Sequence, residues 1–325
     1  MKIRLFGLMH FKEGEHSAEN FSVKNSQELI SIYVNNAINL FNSLQLRGIE
    51  FIVLTNIKSV VDEVVRSEGK ILQVKEIPFL TKVPNGTKFY SAYFKLDVFR
   101  YLSSLSDAYV GLCDLDMVCI NDLPVCFSNN IESRIPMFYD ISDQVIPAHG
   151  HDAIIHDLEL IHGLKSEGRW SGGEFISGTP DFFATLTIEI EKIYDNYLNV
   201  IKKLYFMGDE AVTSSALEII RKKGVYIADA GTLGIVGRYF NTSTLHRQKP
   251  FEYFEKCFLL HLPMDKFFLA KMARKEAFEL AVFKREYLVY RNSPVSIVKK
   301  IIKKIAGIFI PKKKLSDSIF LNEKK

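Results

Sequence analysis

The sequence has few cysteines, a single tryptophan, no internal repeat and no glycine-rich phosphate loop. The four cysteines, Cys113, Cys119, Cys126 and Cys257, form no Cys-x-x-Cys pair, and three crowd into one predicted strand and the loop after it. That pattern excludes a disulfide framework and a cysteine zinc site, and points to the buried, reduced thiols of a cytosolic protein. No apolar run approaches the roughly 18 residues of a membrane span. The opening MKIRLFGLMHF is too short and too quickly polar for a signal peptide and reads as a first strand. Without a Gly-x-Gly-x-x-Gly or Walker sequence, neither a dinucleotide site nor a P-loop is expected.

The net charge of +4 hides an asymmetry. Residues 290–325 carry a local balance of +8, which leaves −4 on the remainder. A mildly acidic body (1–290) with a basic tail (291–325) predicts an anionic surface as the tail's partner. Within the tail, Ile297, Val298, Ile301, Ile302, Ile305 and Ile308 share one helical stripe, and Lys299, Lys300, Lys303 and Lys304 take the other side. Pro311 ends the pattern. A basic amphipathic helix of this kind suits an anionic leaflet, and each lysine near the surface contributes about 1 kcal/mol. Isoleucines alternating with lysine pairs fit a bilayer better than a phosphate backbone, so no nucleic-acid partner is expected.

Apolar strands and helical patterns alternate through the first half. Strands are predicted over 2–7, 49–55, 71–79 and 108–120, and helices over 26–46, 57–67 and 89–105, with Ser26 as an N-cap. The near-continuous apolar runs suit a buried parallel sheet. This βαβ progression predicts an α/β fold, an open and mostly parallel Rossmann-like sheet flanked by helices. Residues 141–175, rich in His, Gly and Asp, read as loops over the site. Helices follow at 180–203 and 208–223, then strand-like segments at 224–228 and 257–263.

The strongest chemical signal is GLCDLDMVCIND, in which an apolar strand delivers Asp114 and Asp116. Ligands of such sheets bind at the carboxyl ends of strands. Residues two apart on an extended strand point the same way, so both carboxylates can face one hard cation, Mn²⁺ or Mg²⁺, that bridges a diphosphate. An isolated Asp-x-Asp is common by chance; its place after a strongly apolar strand gives it weight.

Those segments together resemble GT-A-fold glycosyltransferases, with the pattern of glycosyltransferase family 8 and related bacterial polysaccharide enzymes, over residues 1–270. SAYFKLDVFRYL resembles the helix before the DxD strand, which implies Lys95 near the donor diphosphate. LCDLDMV resembles the DxD strand, with Asp114, Leu115 and Asp116 at the donor. EFISGTP resembles the segment lining the donor sugar, with Ser177 and Gly178 at its turn. GDEAVTSSAL resembles the acidic helix start that faces the sugar, which implies catalytic positions for Asp209 and Glu210. LLHLPMDK implies His261 as a third metal ligand and Lys266 on the diphosphate, at a slightly shorter spacing. Gly7, Leu8 and Met9, ending the first strand beside Thr55-Asn56, correspond to the nucleotide-base contact. Where the family usually has Asp-Gln, this chain has Asp209-Glu210, which leaves retention and inversion both open.

The residues beside these segments read more plainly. Acidic residues in a first turn also complement the helix dipole. Trp170, in RWSGGEF, can stack on a sugar or fill the core, and Glu174 can reach an acceptor. His149, His151, His156 and His162 fit no metal spacing. The resemblance implies transfer of a galactose- or glucose-type hexose from a UDP-sugar to a lipid-linked saccharide in lipopolysaccharide or capsule assembly, at the inner membrane face. Two other readings stand beside it. One is a non-catalytic membrane-bound scaffold with a degenerate transferase fold. The other is a nucleotidyltransferase, for which GLMHFKEG is a poor phosphate loop.

Overall fold

The computed structural model describes residues 3–13, 25–87, 89–106, 108–242 and 244–294. The tail helix expected at 295–310, with the basic residues after it, lies outside the described residues. Among the described residues, no helix is long and apolar enough to cross a membrane.

The chain alternates as its apolar runs suggest. β1 (Arg4–Met9), α1 (Ser26–Gln45), β2 (Glu50–Thr55), α2 (Lys58–Ser67) and β3 (Gln73–Glu76) follow in turn. A short 3₁₀ turn, Tyr90–Phe94, leads into α3 (Lys95–Ser103), and then come β4 (Val110–Cys113) and β5 (Met117–Cys119). α1 is capped by Asn25 rather than Ser26: the Asn25 side chain accepts from the Glu28 amide at 2.9 Å.

The second half contains α4 (Val125–Glu132), β6 (Met137–Asp140), α5 (Ser142–His149), α6 (His151–His162), β7 (Ser171–Gly178), α7 (Pro180–Val200) and α8 (Asp209–Lys222). It closes with β8 (Ala228–Asp229), β9 (Val236–Arg238), α9 (Phe251–Phe254), β10 (Leu259–His261), α10 (Lys266–Ala273) and α11 (Leu280–Arg291). Residues 141–175 are therefore largely helical, where loops were expected. Val145, Ile154, Leu158 and Ile161 turn inward at helical spacing, and their burial outweighs the loop-like composition around them.

The main sheet has the order β3-β2-β1-β4-β7-β6-β8. β7 runs antiparallel to its neighbours β4 and β6, and every other pairing in this sheet is parallel. The fold is thus α/β, with a mainly parallel seven-stranded sheet flanked by helices. A second sheet has the order β5-β10-β9.

The predicted strand 108–120 is in fact two strands in two sheets. β4 ends at Cys113, the chain turns through Asp114-Leu115-Asp116, and β5 pairs antiparallel with β10. Met117 and Cys119 face the main apolar core, whereas Val118 faces a second cluster with Leu260, Phe268 and Tyr287. A single apolar run therefore serves both cores, and the acidic triplet is the elbow between them.

Candidate metal centre

The acidic elbow is pinned from two directions. The Asp114 amide donates to the Glu174 carbonyl of β7 at 3.0 Å, and the Asp116 carbonyl accepts from the Leu262 amide at 3.0 Å. Strand register sets His261 opposite Met117, next to Asp116. Leu115 turns its side chain inward against β1. A Cβ built on Gly7 would lie 2.4 Å from Leu115 Cδ2 and 2.8 Å from Phe51 Cζ, so a residue without a side chain is required there.

These constraints bring Asp114, Asp116 and His261 together. One ligand atom from each lies within 4.8 Å of the others. His261 Nε2 is 3.1 Å from Asp116 Oδ1 and 3.9 Å from Asp114 Oδ2. His261 Nδ1 faces Glu174 Oε1 at 3.4 Å. Burial works against the imidazolium, but Asp116 and Glu174 outweigh it and raise His261 to about 9. Two carboxylates and one imidazole form a compact donor set compatible with a divalent cation.

Cations surround this cluster. Lys266 Nζ pairs with Asp116 Oδ2 and donates to the Pro263 carbonyl at 2.9 Å. Burial opposes the Asp116 charge; Lys266 and His261 overcome that and hold the carboxyl far below its ordinary value. Lys95 Nζ lies 3.0 Å from Asp114 Oδ1, 3.3 Å from Asp209 Oδ2 and 2.7 Å from the Gly173 carbonyl. Burial works against the Lys95 charge as well, and Asp114 and Asp209 more than restore it. Three contacts occupy the three N–H bonds of the ammonium. In this arrangement Lys95 braces carboxylates.

Glu174 is buried and anchors the back of the centre. Arg238 Nε lies 3.5 Å from Glu174 Oε1, and Gln144 Oε1 accepts from Arg238 Nε and Nη2 at 3.2 and 3.0 Å. Burial penalises the Glu174 carboxylate, but Arg238 and His261 bring it down to about 2. Glu174, read in the sequence as a group reaching for an acceptor, is a partner of His261. Arg238 and Gln144 escaped sequence reasoning, because a lone arginine ending a three-residue strand carries no spacing signal.

The two acids that open α8 differ in their surroundings. Gly208, at φ 145°, turns the chain into the helix and donates to Tyr197 Oη at 3.0 Å. Asp209 then meets Lys95. Glu210 is held by Trp170 Nε1 at 2.9 Å and by the Gly173 amide at 3.1 Å, so the lone tryptophan serves this carboxylate. Burial pushes the Glu210 carboxyl upward, against the pull of Arg238.

The remaining predicted positions are spread around the sheet. β7 runs antiparallel to β4, so Ser177 pairs with Gly111 and Gly178 with Val110, at the far end of β4 from Asp114. Ser177 is fully buried, 3.3 Å from Tyr109 Oη. The two residues that adjoin the cluster are Gly172 and Gly173 at the start of β7. A Cβ on Gly173 would lie 2.8 Å from both Asp209 Oδ2 and Lys95 Nζ. Leu8 pairs with Leu54 and packs partly buried on the main core. Asn56 reaches over from beyond β2: its side chain accepts from the Phe11 amide at 3.0 Å and donates to the Phe11 carbonyl at 2.7 Å.

No family model and no curated protein matches the chain. Among solved structures it resembles the apo structure of the bifunctional glycosyltransferase WbbM, with a TM-score of 0.48 and 9% sequence identity. That superposition covers 87% of this chain and 51% of WbbM. The chain thus spans about half the length of that neighbour.

Proposed function

We propose that the protein is a metal-dependent glycosyltransferase of the GT-A type. It moves a hexose of galactose or glucose type from a UDP-sugar to a lipid-linked saccharide in surface-glycan assembly. One observation carries the reading: Asp114, Asp116 and His261, from an inter-sheet elbow and a second sheet, converge at the carboxyl end of β4.

Asp114, Asp116 and His261 would hold Mn²⁺ or Mg²⁺, which offsets the charge of the departing nucleoside diphosphate. Charge balance supports this. Asp114, Asp116, Glu174, Asp209 and Glu210 face the permanent cations Lys95, Lys266 and Arg238. The carboxylates outnumber these cations; without a metal the raised His261 supplies part of the missing charge, and a divalent cation would take over that role as the imidazole gives up its proton.

The chain's own groups divide the other tasks. Lys95 keeps Asp114 and Asp209 at fixed separation. Gly172 and Gly173 let the neighbouring side chains pack directly on bare backbone: a Cβ at 172 would meet Glu174 Oε2 at 2.3 Å, and one at 173 would meet Asp209 Oδ2 and Lys95 Nζ at 2.8 Å. Glu210 has its oxygens engaged by Trp170 and Gly173, which leaves Asp209 as the carboxylate for a sugar hydroxyl. The basic tail would seat the enzyme on the inner face of the cell membrane, near a lipid-linked acceptor.

The decisive measurement is a thermal-shift panel of UDP-, GDP- and CMP-sugars with and without Mn²⁺. Stabilisation by a UDP-sugar that requires Mn²⁺ is expected; no shift with any donor would sink the reading. Removing residues 294–325 should release the protein from anionic liposomes while donor hydrolysis persists, and continued liposome binding would refute the anchor.

A further inference from the structure

A second recess lies on the same side of the sheet as the metal centre. β6 and β8 run parallel to β4, so Asp140 and Asp229 mark the same carboxyl edge as Asp114. A cleft of about 650 Å³ opens there, lined by this edge and by residues of the segment 247–254. Its wall is tied to the metal centre through side chains: Gln144 lines the cleft and holds Arg238, which holds Glu174, which faces His261.

Three acids, Asp140, Asp143 and Asp229, and three bases, Arg169, Arg247 and Lys249, line the cleft, and they differ in how they are held. Asp229 accepts from the amides of Asp140, Gly231 and Thr232 at 3.1, 2.8 and 3.1 Å, so backbone donors fix its position. Asp140 accepts from the Ser142 amide and hydroxyl at 2.9 and 2.5 Å and stands 3.9 Å from Arg169 Nε. Asp143 lines the same cleft as Arg247 and Lys249, and both of these cations are exposed. The Arg247 amide is anchored on the Gln144 carbonyl at 3.1 Å. Its guanidinium has no hydrogen-bond or ion-pair partner among the described residues.

Aromatic rings stand at the same cleft. Tyr226 is 70% exposed and Tyr253 is 50% exposed, both unusually open for tyrosines that line a recess. Lys249 Nζ lies over the Tyr253 ring at 3.9 Å. Exposed ring faces beside hydrogen-bonding side chains suit the apolar face of a sugar, and a free guanidinium suits a planar or tetrahedral anion.

We propose that this cleft binds an acidic saccharide, whose negative charge is a carboxylate or a phosphate. Arg247 and Lys249 take the anion, with Lys249 seated on Tyr253, and Tyr226 takes the ring. The role of acceptor in sugar transfer rests on the transferase reading above; the binding itself does not.

Titration calorimetry on the full chain tests this with three probes: a glucuronic-acid-containing disaccharide, a disaccharide phosphate and neutral cellobiose. At least one acidic probe should bind at least about tenfold more tightly than cellobiose, and the double variant Arg247→Ala/Lys249→Ala should lose about tenfold for that probe. Binding of the uronate alone assigns a carboxylate ligand; binding of the phosphate alone assigns a phosphate. Failure of both acidic probes, equal binding of cellobiose, or an unaffected double variant would each overturn the proposal. Asp116→Ala should leave acidic-saccharide binding intact. Acidic binding without any UDP-sugar turnover would keep the cleft and remove its acceptor role. Turnover without acidic binding would overturn the cleft proposal and leave the transferase reading standing.

Discussion

Glu174 and His261 face each other across the two sheets, Oε1 to Nδ1 at 3.4 Å, which turns Nε2 toward Asp116 and Asp114. Such a carboxylate fixes the tautomer and the ring plane of a ligating histidine. Glu174→Gln keeps the shape and removes the charge. Mn²⁺ affinity should fall about 10- to 100-fold, the usual cost of losing an outer-shell partner. Calorimetric titration of Mn²⁺ into wild type and variant checks this, and equal affinity would show that Glu174 serves only Arg238.

Lys266 makes a different prediction, because it sits on the same carboxylate that a cation would claim. Both partners are buried, so Lys266→Ala leaves the Asp116 carboxylate with His261 alone. Breaking a buried pair costs about 3–5 kcal/mol. Added Mn²⁺ should recover much of that loss, since it gives Asp116 a new partner. The melting temperature of Lys266→Ala should therefore start below wild type and rise more steeply with Mn²⁺. A variant that melts low and does not respond to Mn²⁺ would contradict the shared role of Asp116.

The order of elements was readable because apolar runs and helical periodicity report burial directly, as in β2 and α1. The elbow at Asp114-Leu115-Asp116 was not. An apolar run looks the same whether it continues in one sheet or crosses to another, and only the partner strand β10, some 140 residues away, decides. The cluster of Asp114, Asp116 and His261 was legible through the order of motifs. Ser177 and Gly178 were placed at the donor through the same order, yet the register of antiparallel β7 carries them to the far end of β4 and brings Gly172 and Gly173 in. Register depends on pairing, which local sequence does not encode. Arg238 and Gln144, 94 residues apart, meet only in the folded chain.

Gly7 links the first strand to the elbow. Gly7→Ala would drive a methyl group into Leu115 Cδ2 and the Phe51 ring. Overpacking of this kind costs about 1–3 kcal/mol, and displacement of Leu115 would also shift Asp114 and Asp116. Lower unfolding free energy and weaker Mn²⁺ binding are both expected. Leu115→Ala alone leaves a cavity, at about 2–5 kcal/mol. The double variant should lose less than the sum of the two, since the small side chain at 115 makes room for the methyl at 7. Strict additivity in denaturant unfolding would show that the two residues do not press on each other.

Away from the centre, Glu218 adds a pH-dependent contribution to stability. This buried carboxylate of α8 accepts from the Ser166 hydroxyl at 2.7 Å and the Glu167 amide at 2.8 Å, with His162 Nε2 at 3.5 Å. Burial opposes its charge; the contacts from His162, Ser166 and Glu167 prevail and lower it to about 2. A carboxyl lowered on folding stabilises the native state above its unfolded value, near 4.5, and the contribution disappears as pH falls through about 2. Glu218→Gln removes the charge and one acceptor for these donors, so it should cost about 1–3 kcal/mol near neutral pH. Between pH 4.5 and 2 the wild type should lose stability faster than the variant, and the two unfolding curves should converge. Urea unfolding at stepped pH measures this directly, and a constant gap between the two proteins down to pH 2 would show that Glu218 contributes through packing instead of charge.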